Sequence, residues 1–106
     1  MAKYLIISAF KSEGIQGVRE MGGTAREEAA REAVESLGGT LESYHFAFGE
    51  DDAYVIVDMP DNIATAALAI AASSTGMVAP RVVVLLTPGE VDEAVKRNVV
   101  YRPPGR

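Results

Sequence analysis

The chain has 106 residues, 48% of them hydrophobic, which excludes a disordered protein and predicts one domain. It contains no cysteine, and this excludes disulfides, thiolate metal sites and cysteine nucleophiles. Fifteen acidic residues outnumber ten basic ones, and the basic residues form no cluster that would neutralise phosphates, so we expect no nucleic-acid partner.

The first part of the chain predicts a strand followed by two helices. Lys3–Phe10 carries apolar residues on both faces of an alternating pattern, which is typical of a strand covered from both sides. Ser12–Met21 predicts a short helix. Two glycines separate it from an amphipathic helix that starts at Gly23 or Thr24 and ends at Leu37. The spacing of Thr24 and Glu27 predicts a capping box at its start.

The second part predicts a hairpin, a helix, a strand and a terminal helix. Leu41–Phe48 and Asp52–Met59 are predicted strands joined by a short turn. Ile63–Ser74 predicts an alanine-rich, uncharged helix, which indicates close packing on more than one side. Arg81–Thr87 is the fourth strand. Pro88–Arg97 predicts a short helix whose valines face inward.

This order predicts an α+β fold, the ferredoxin-like βαββαβ antiparallel sheet with its helices on one face. Residues 1–98 form the domain, and residues 99–106 form a C-terminal arm or tail. The strands are apolar on both faces, but the helices cover only one. Exposing five large apolar side chains forgoes roughly 8–15 kcal/mol, so we expect a homodimer or higher homo-oligomer that covers the open face.

Several short motifs strengthen this interpretation. They are Tyr4-Leu5-Ile6, Glu13-Gly14-Ile15, Gly22-Gly23-Thr24-Ala25-Arg26, Leu37-Gly38-Gly39 and Phe46-Ala47-Phe48-Gly49-Glu50. From about Lys3 to Val95 the chain resembles the GYD-domain proteins, small bacterial and archaeal proteins of mostly unassigned function. The resemblance implies a dimeric α/β-barrel. One position departs from the family motif, because Asp51 stands where the family has a tyrosine.

Asp58 is the first candidate site residue. It shares a strand face with Tyr54, and alternation along the first strand suggests that Tyr4 and Ser8 share that face as well. A carboxylate on a covered apolar face needs a partner or a raised pKa. The alternative is a carboxylate at a strand end that reaches solvent.

Two further groups of residues have a functional and a structural interpretation. His45 is the single histidine and could act as a base with Tyr44 nearby, or could simply pack at a strand edge. Arg26 follows a glycine-rich helix entry that could bind an anion or serve only as a cap and hinge. Arg81 could line the same anion-binding cavity as Arg26, or it could form an ion pair at an interface between chains. The turn acids of residues 50–52 bind a cation or are solvated.

Two functions remain open at this point. The first is an oligomeric protein that binds a small molecule at the sheet face or dimer interface, through Tyr4, Ser8, Arg26, Tyr44, Tyr54 and Arg81. The second is a cofactor-free enzyme similar to small monooxygenases or isomerases of the dimeric α/β-barrel class, with His45 and Asp58 as catalytic residues. We expect no metal, no cofactor and no membrane span, and a cytoplasmic location.

Overall fold

The computed structural model describes residues 1–105 as four strands and four helices. In chain order they are β1 (Ala2–Phe10), α1 (Ser12–Met21), α2 (Gly23–Ser36), β2 (Thr40–Phe46), β3 (Ala53–Met59), α3 (Asn62–Ser74), β4 (Val78–Leu85) and α4 (Pro88–Val95). The type and order of these elements agree with those that the sequence predicts.

The four strands form one open antiparallel sheet in the order β2-β3-β1-β4. Tyr4 lies opposite Val57 of β3 and Val84 of β4, while Leu5 lies opposite Ile56 and Val83. Successive side chains point to opposite faces, so these two rows belong to different sides of the sheet. The protein is an α+β protein whose topology is consistent with the ferredoxin-like arrangement.

One face of the sheet carries the core. Tyr4, Ile6, Val55 and Val57 are buried there, beneath Val34 of α2. Leucine and alanine side chains of α2 and α3 pack against this group, which places both helices on the same face. A buried Val, Leu or Ile side chain contributes about 1.5–3 kcal/mol, so this face holds the sheet and the two helices together.

The opposite face, which we call the open face, carries Leu5, Ile7, Tyr54, Ile56 and Val83. Tyr54 and Val83 are 39% and 41% exposed. The register confirms that Asp58 lies on the same face as Tyr54, opposite Lys3. Ile7 itself is buried, so the other four residues form most of the apolar surface on the side of the sheet away from α2 and α3.

Several strand ends differ from the prediction, and the largest differences are in β2 and β4, which end at Phe46 and Leu85 instead of Phe48 and Thr87. β4 begins at Val78 and not at Arg81, so it includes Pro80, which lies opposite Ser8. Proline lacks an N–H, but β4 pairs only with β1, and an edge strand tolerates that loss. β2 ends at Phe46, because the Ala47 N–H donates to the Asp52 carbonyl and closes the turn there.

The predicted capping box at Thr24 is wrong. α2 starts at Gly23, so Thr24 lies inside the first turn and makes no capping hydrogen bond. The residue before the helix is Gly22, with a φ of 86°, a conformation that suits glycine. Gly22 therefore provides the sharp turn between α1 and α2.

Two helices, α3 and α4, bury fewer apolar side chains than the sequence predicts. Val91 and Val95 of α4 were expected to face inward, but they are 45% and 75% exposed, and α4 packs extensively on no other element of residues 1–105. α3 was expected to pack on more than one side. Within this chain Ile63 and Ile70 on its outer side are exposed. In a single chain no other described element covers the apolar side of α4 or the outer side of α3.

Candidate functional site

A cavity of about 280 Å³ lies between the sheet and the helices α2 and α3, and we call it the sheet cavity. Ile6, Val55 and Val57 form its floor on the sheet. Alanines dominate its helical walls: Ala29, Ala30 and Ala33 of α2, and Ala69, Ala71 and Ala72 of α3. The cavity is therefore mainly apolar.

The alanines explain why space remains above the centre of the sheet. α2 packs mainly on β2 and α3 mainly on β4, which are the two edge strands. The central strands β1 and β3 lie between them, and methyl side chains on the facing helix surfaces are too short to fill the gap. The close packing that usually eliminates voids from protein interiors is therefore absent at this point.

Three polar side chains line the sheet cavity: Ser8 of β1, Arg26 of α2 and Tyr44 of β2. The Nε atom of Arg26 is fully buried and has no hydrogen-bond partner among the described residues. Most buried polar groups in proteins are paired, and an unpaired one calls for an explanation. Arg26 is therefore the residue that sets this cavity apart from a packing defect.

A second cavity of about 310 Å³ adjoins the first and is lined largely by α1, so we call it the α1 cavity. Both cavities share Arg26 and Phe10 as lining residues, together with Ala29, Ala72 and Val78. Val18 and Met21 give the α1 cavity an apolar wall, and Glu13 is its one acidic lining residue. Arg26 thus lies where two apolar spaces meet.

The phenol of Tyr44 is half-buried beside Arg26. Burial raises the pKa of Tyr44 above its ordinary value, although the nearby Arg26 guanidinium opposes this shift. The phenol therefore stays protonated at neutral pH and can donate a hydrogen bond. Phe46 packs against it with ring centroids 5.1 Å apart, and Phe10 meets Phe46 edge-on at 6.4 Å. These rings form an aromatic group next to Arg26.

Asp58 lies away from both cavities, on the open face. Its carboxylate accepts a hydrogen bond from the Lys3 ammonium at 3.1 Å, and Lys3 also pairs with Glu42. Hydrogen bonding with Glu42 and Lys3 holds the pKa of Asp58 below its ordinary value, despite partial burial. Asp58 therefore has a cationic partner on the open face, and its side chain also reaches solvent, with 24% of its surface exposed.

At the other end of the open face, the hairpin acids have structural partners. Asp51 pairs with Arg81 at 2.8 Å. The Asp52 carboxylate accepts a hydrogen bond from the backbone N–H of Phe10 at 2.7 Å. These contacts tie the β2–β3 turn to β1 and β4.

The predicted site residues divide between the two faces. Ser8, Arg26 and Tyr44 line the sheet cavity, whereas His45, Tyr54, Asp58 and Arg81 belong to the open face or its rim. The expectation that Tyr4 and Ser8 share a face with Asp58 is wrong, since Lys3 occupies the position opposite Asp58. Tyr4 is buried in the core, where its hydroxyl donates a hydrogen bond to Asn62.

The sequence analysis missed the cavity walls, among them Phe10, Leu68 and Val78. Their apolar character is visible in the sequence, but a gap between two alanine-rich helix faces is not. Residues 1–105 contain no group of three or more histidine, cysteine, aspartate or glutamate side chains arranged to hold a metal ion. In the same part of the chain, every helix is too short or too polar to cross a membrane.

Comparison with known proteins gives one match. The family model described as GYD domain matches residues 4–95, which is most of the chain. No curated protein and no solved structure matches. The chain therefore belongs to the GYD domain family, as the resemblance of its motifs suggests.

Proposed function

We propose that this member of the GYD domain family binds a small organic molecule in the sheet cavity and assembles as a homodimer through its open face. The observation that carries the binding proposal is Arg26, whose Nε is buried without a partner at the edge of an apolar cavity. Leaving a buried donor unpaired costs about 1–3 kcal/mol, and a ligand that accepts from Arg26 recovers this energy.

The size and lining of the cavity support a small ligand. Small-molecule sites usually enclose about 300–1,000 Å³, with mostly apolar walls and a few polar groups that fix orientation. The sheet cavity, at about 280 Å³, is just below the lower end of that range and has Ser8, Arg26 and Tyr44 as its polar groups. It suits a compact metabolite better than a nucleotide.

The same geometry favours binding over catalysis. Of the residues considered for proton transfer, Tyr44 lines the cavity, whereas His45 and Asp58 lie on the other face of the sheet. A general base must come within hydrogen-bond reach of the proton that it removes. Within one chain these three residues cannot meet around a single substrate.

The charge pattern of the open face supports the dimer. Its apolar centre, around Leu5, Ile56 and Val83, lies between the Lys3 ion pairs at one end and the Arg81–Asp51 pair at the other. Protein interfaces commonly have an apolar core and a polar rim. A second copy packed face to face would cover the apolar row and leave the paired charges at the edge.

The binding proposal is tested by thermal-shift screening of small organic molecules followed by calorimetric titration of those that stabilise the protein. The substitution Ala72→Leu places a larger side chain in the wall shared by both cavities, while Ala67→Leu adds the same volume at an exposed position of α3. We expect the first variant to lose binding at least tenfold and the second to retain it. The proposal fails if no molecule stabilises the protein or if both variants bind equally well.

A further inference from the structure

Building on the proposed binding function, we infer that the ligand of the sheet cavity is a singly charged carboxylate with an apolar body, which Arg26 holds by its anionic group. Three observations support this ligand class: the charge of the lining residues, the position of Arg26 as the one basic residue among the described residues that line either cavity, and the apolar floor of the sheet cavity.

Arg26 determines the sign of the charge that the ligand carries. The guanidinium of Arg26 carries a positive charge. None of the five salt bridges within residues 1–105 involves Arg26, and no acidic residue lines the sheet cavity. Arg26 is partly buried, and a neutral ligand that covered its guanidinium would leave a buried charge without a counter-ion, which is costly. The complement must therefore be an anion.

The number of basic residues in the cavity walls determines how much charge the ligand carries. Among the described residues that line either cavity, Arg26 alone is basic, and Glu13 adds a negative charge to the wall of the α1 cavity. A phosphate monoester carries close to two negative charges at neutral pH, so one guanidinium would leave about one charge unpaired. A carboxylate brings one charge, and its two oxygens match the planar fork of arginine.

The apolar lining of the sheet cavity determines the character of the rest of the ligand. Ile6, Val55, Val57 and Leu68 surround the space beyond the polar groups, so the body of the ligand must be apolar to displace water favourably. The phenol of Tyr44, which remains protonated beside Arg26, can donate a second hydrogen bond to a carboxylate oxygen. Small aromatic and branched aliphatic acids have this combination of groups.

The test measures affinity by calorimetry for three acids, benzoate, phenylacetate and isocaproate, each beside its uncharged amide, with phenyl phosphate as the doubly charged probe. We expect each bound acid to bind at least tenfold more tightly than its amide and than phenyl phosphate. Arg26→Met should remove this preference while keeping the apolar stem of the side chain. Arg19→Met is the matched control, because Arg19 is exposed on α1 and lines neither cavity.

The outcomes separate the ligand class from the binding function. Amides that bind as tightly as acids, or an acid preference that survives in Arg26→Met, refute the carboxylate and leave the binding function intact. Tighter binding of phenyl phosphate refutes the single charge. If no acid, amide or phosphate binds and the wider screen also finds no ligand, the proposed function and the inference fail together.

Discussion

Placing a charge at the centre of the open face is the most direct test of the homodimer. The substitution Val83→Asp introduces a carboxylate next to Leu5, in the middle of the apolar row. In a dimer with twofold symmetry the same change occurs twice within one interface, so each unfavourable contribution is doubled. The isolated chain should tolerate the change, because this position is 41% exposed when no partner is present.

The size of the effect follows from that exposed fraction. Complete burial of a valine contributes about 1.5–3 kcal/mol, so covering 41% of the surface of Val83 contributes roughly 0.6–1.2 kcal/mol per copy. The aspartate loses this contribution and must also be desolvated without a partner, at about 1–3 kcal/mol or more per copy. Counting both copies, we expect the dimer to weaken by at least about 3 kcal/mol, or roughly 100-fold in Kd.

Sedimentation velocity over a dilution series measures this change, with Val84→Asp as the matched control. Val84 is the next residue of the same strand and is 58% exposed, but it lies opposite Tyr4 and so belongs to the helix-bearing side. The control should dimerise as the wild type does. A wild-type chain that stays monomeric, or a Val83→Asp variant that dimerises with unchanged Kd, refutes the face-to-face arrangement.

Three other substitutions test the packing and electrostatics described above, each by urea unfolding. In Gly39→Ala the new methyl carbon would lie 2.7 Å from a β3 carbonyl oxygen and 2.5 Å from a methionine sulfur, which should destabilise by about 1–3 kcal/mol, whereas Gly49→Ala meets nothing and should be neutral. Asp52→Ala leaves a β1 N–H without its acceptor and should cost about 1–3 kcal/mol, while Glu50→Ala should change stability by less than about 0.5 kcal/mol. The pKa of Asp58 is lower in the folded protein than in the unfolded chain. The ionised carboxylate therefore stabilises the folded protein at pH values above the ordinary aspartate pKa, and this stabilisation is lost as the pH falls through the lowered pKa. Asp58→Asn should therefore lose less stability on acidification than the wild type, and equal acid sensitivity would contradict the ion pair.

The sequence was sufficient to predict the elements because their periodicities are strong. Lys3–Phe10 alternates apolar residues on two faces, Gly22 separates α1 from α2, and Gly38 and Gly39 separate α2 from β2. Pro80 misled the prediction of β4, because whether a proline can sit in a strand depends on which edge of the strand faces a neighbour. Strand order is a property of the whole chain, so the local pattern could not supply it.

The candidate site was predictable only in part, for a related reason. Arg26 was identified from the glycine-rich entry to its helix, as a residue at an anion-binding helix end. Its importance in the structure comes from the cavity wall instead. Alternation alone does not show which residues of β1 lie on the same face as Asp58. The strand register shows that Lys3 lies opposite Asp58. Alanines in a helix predict a small surface, but only the separation of α2 and α3 shows that the surface encloses a space.

The chain departs from the family motif at Asp51, and the contacts of this residue show its structural role. Asp51 lies in the β2–β3 turn and pairs with Arg81, at the rim of the open face, and it lines neither cavity. Its side chain is 12% exposed, whereas that of Arg81 is 63% exposed, so the pair fixes the turn against β4 and leaves the cation accessible. An aromatic side chain could not neutralise that guanidinium. In the proposed dimer Asp51 therefore lies at the edge where a second copy would dock, and it lies away from Arg26, Tyr44 and the sheet cavity.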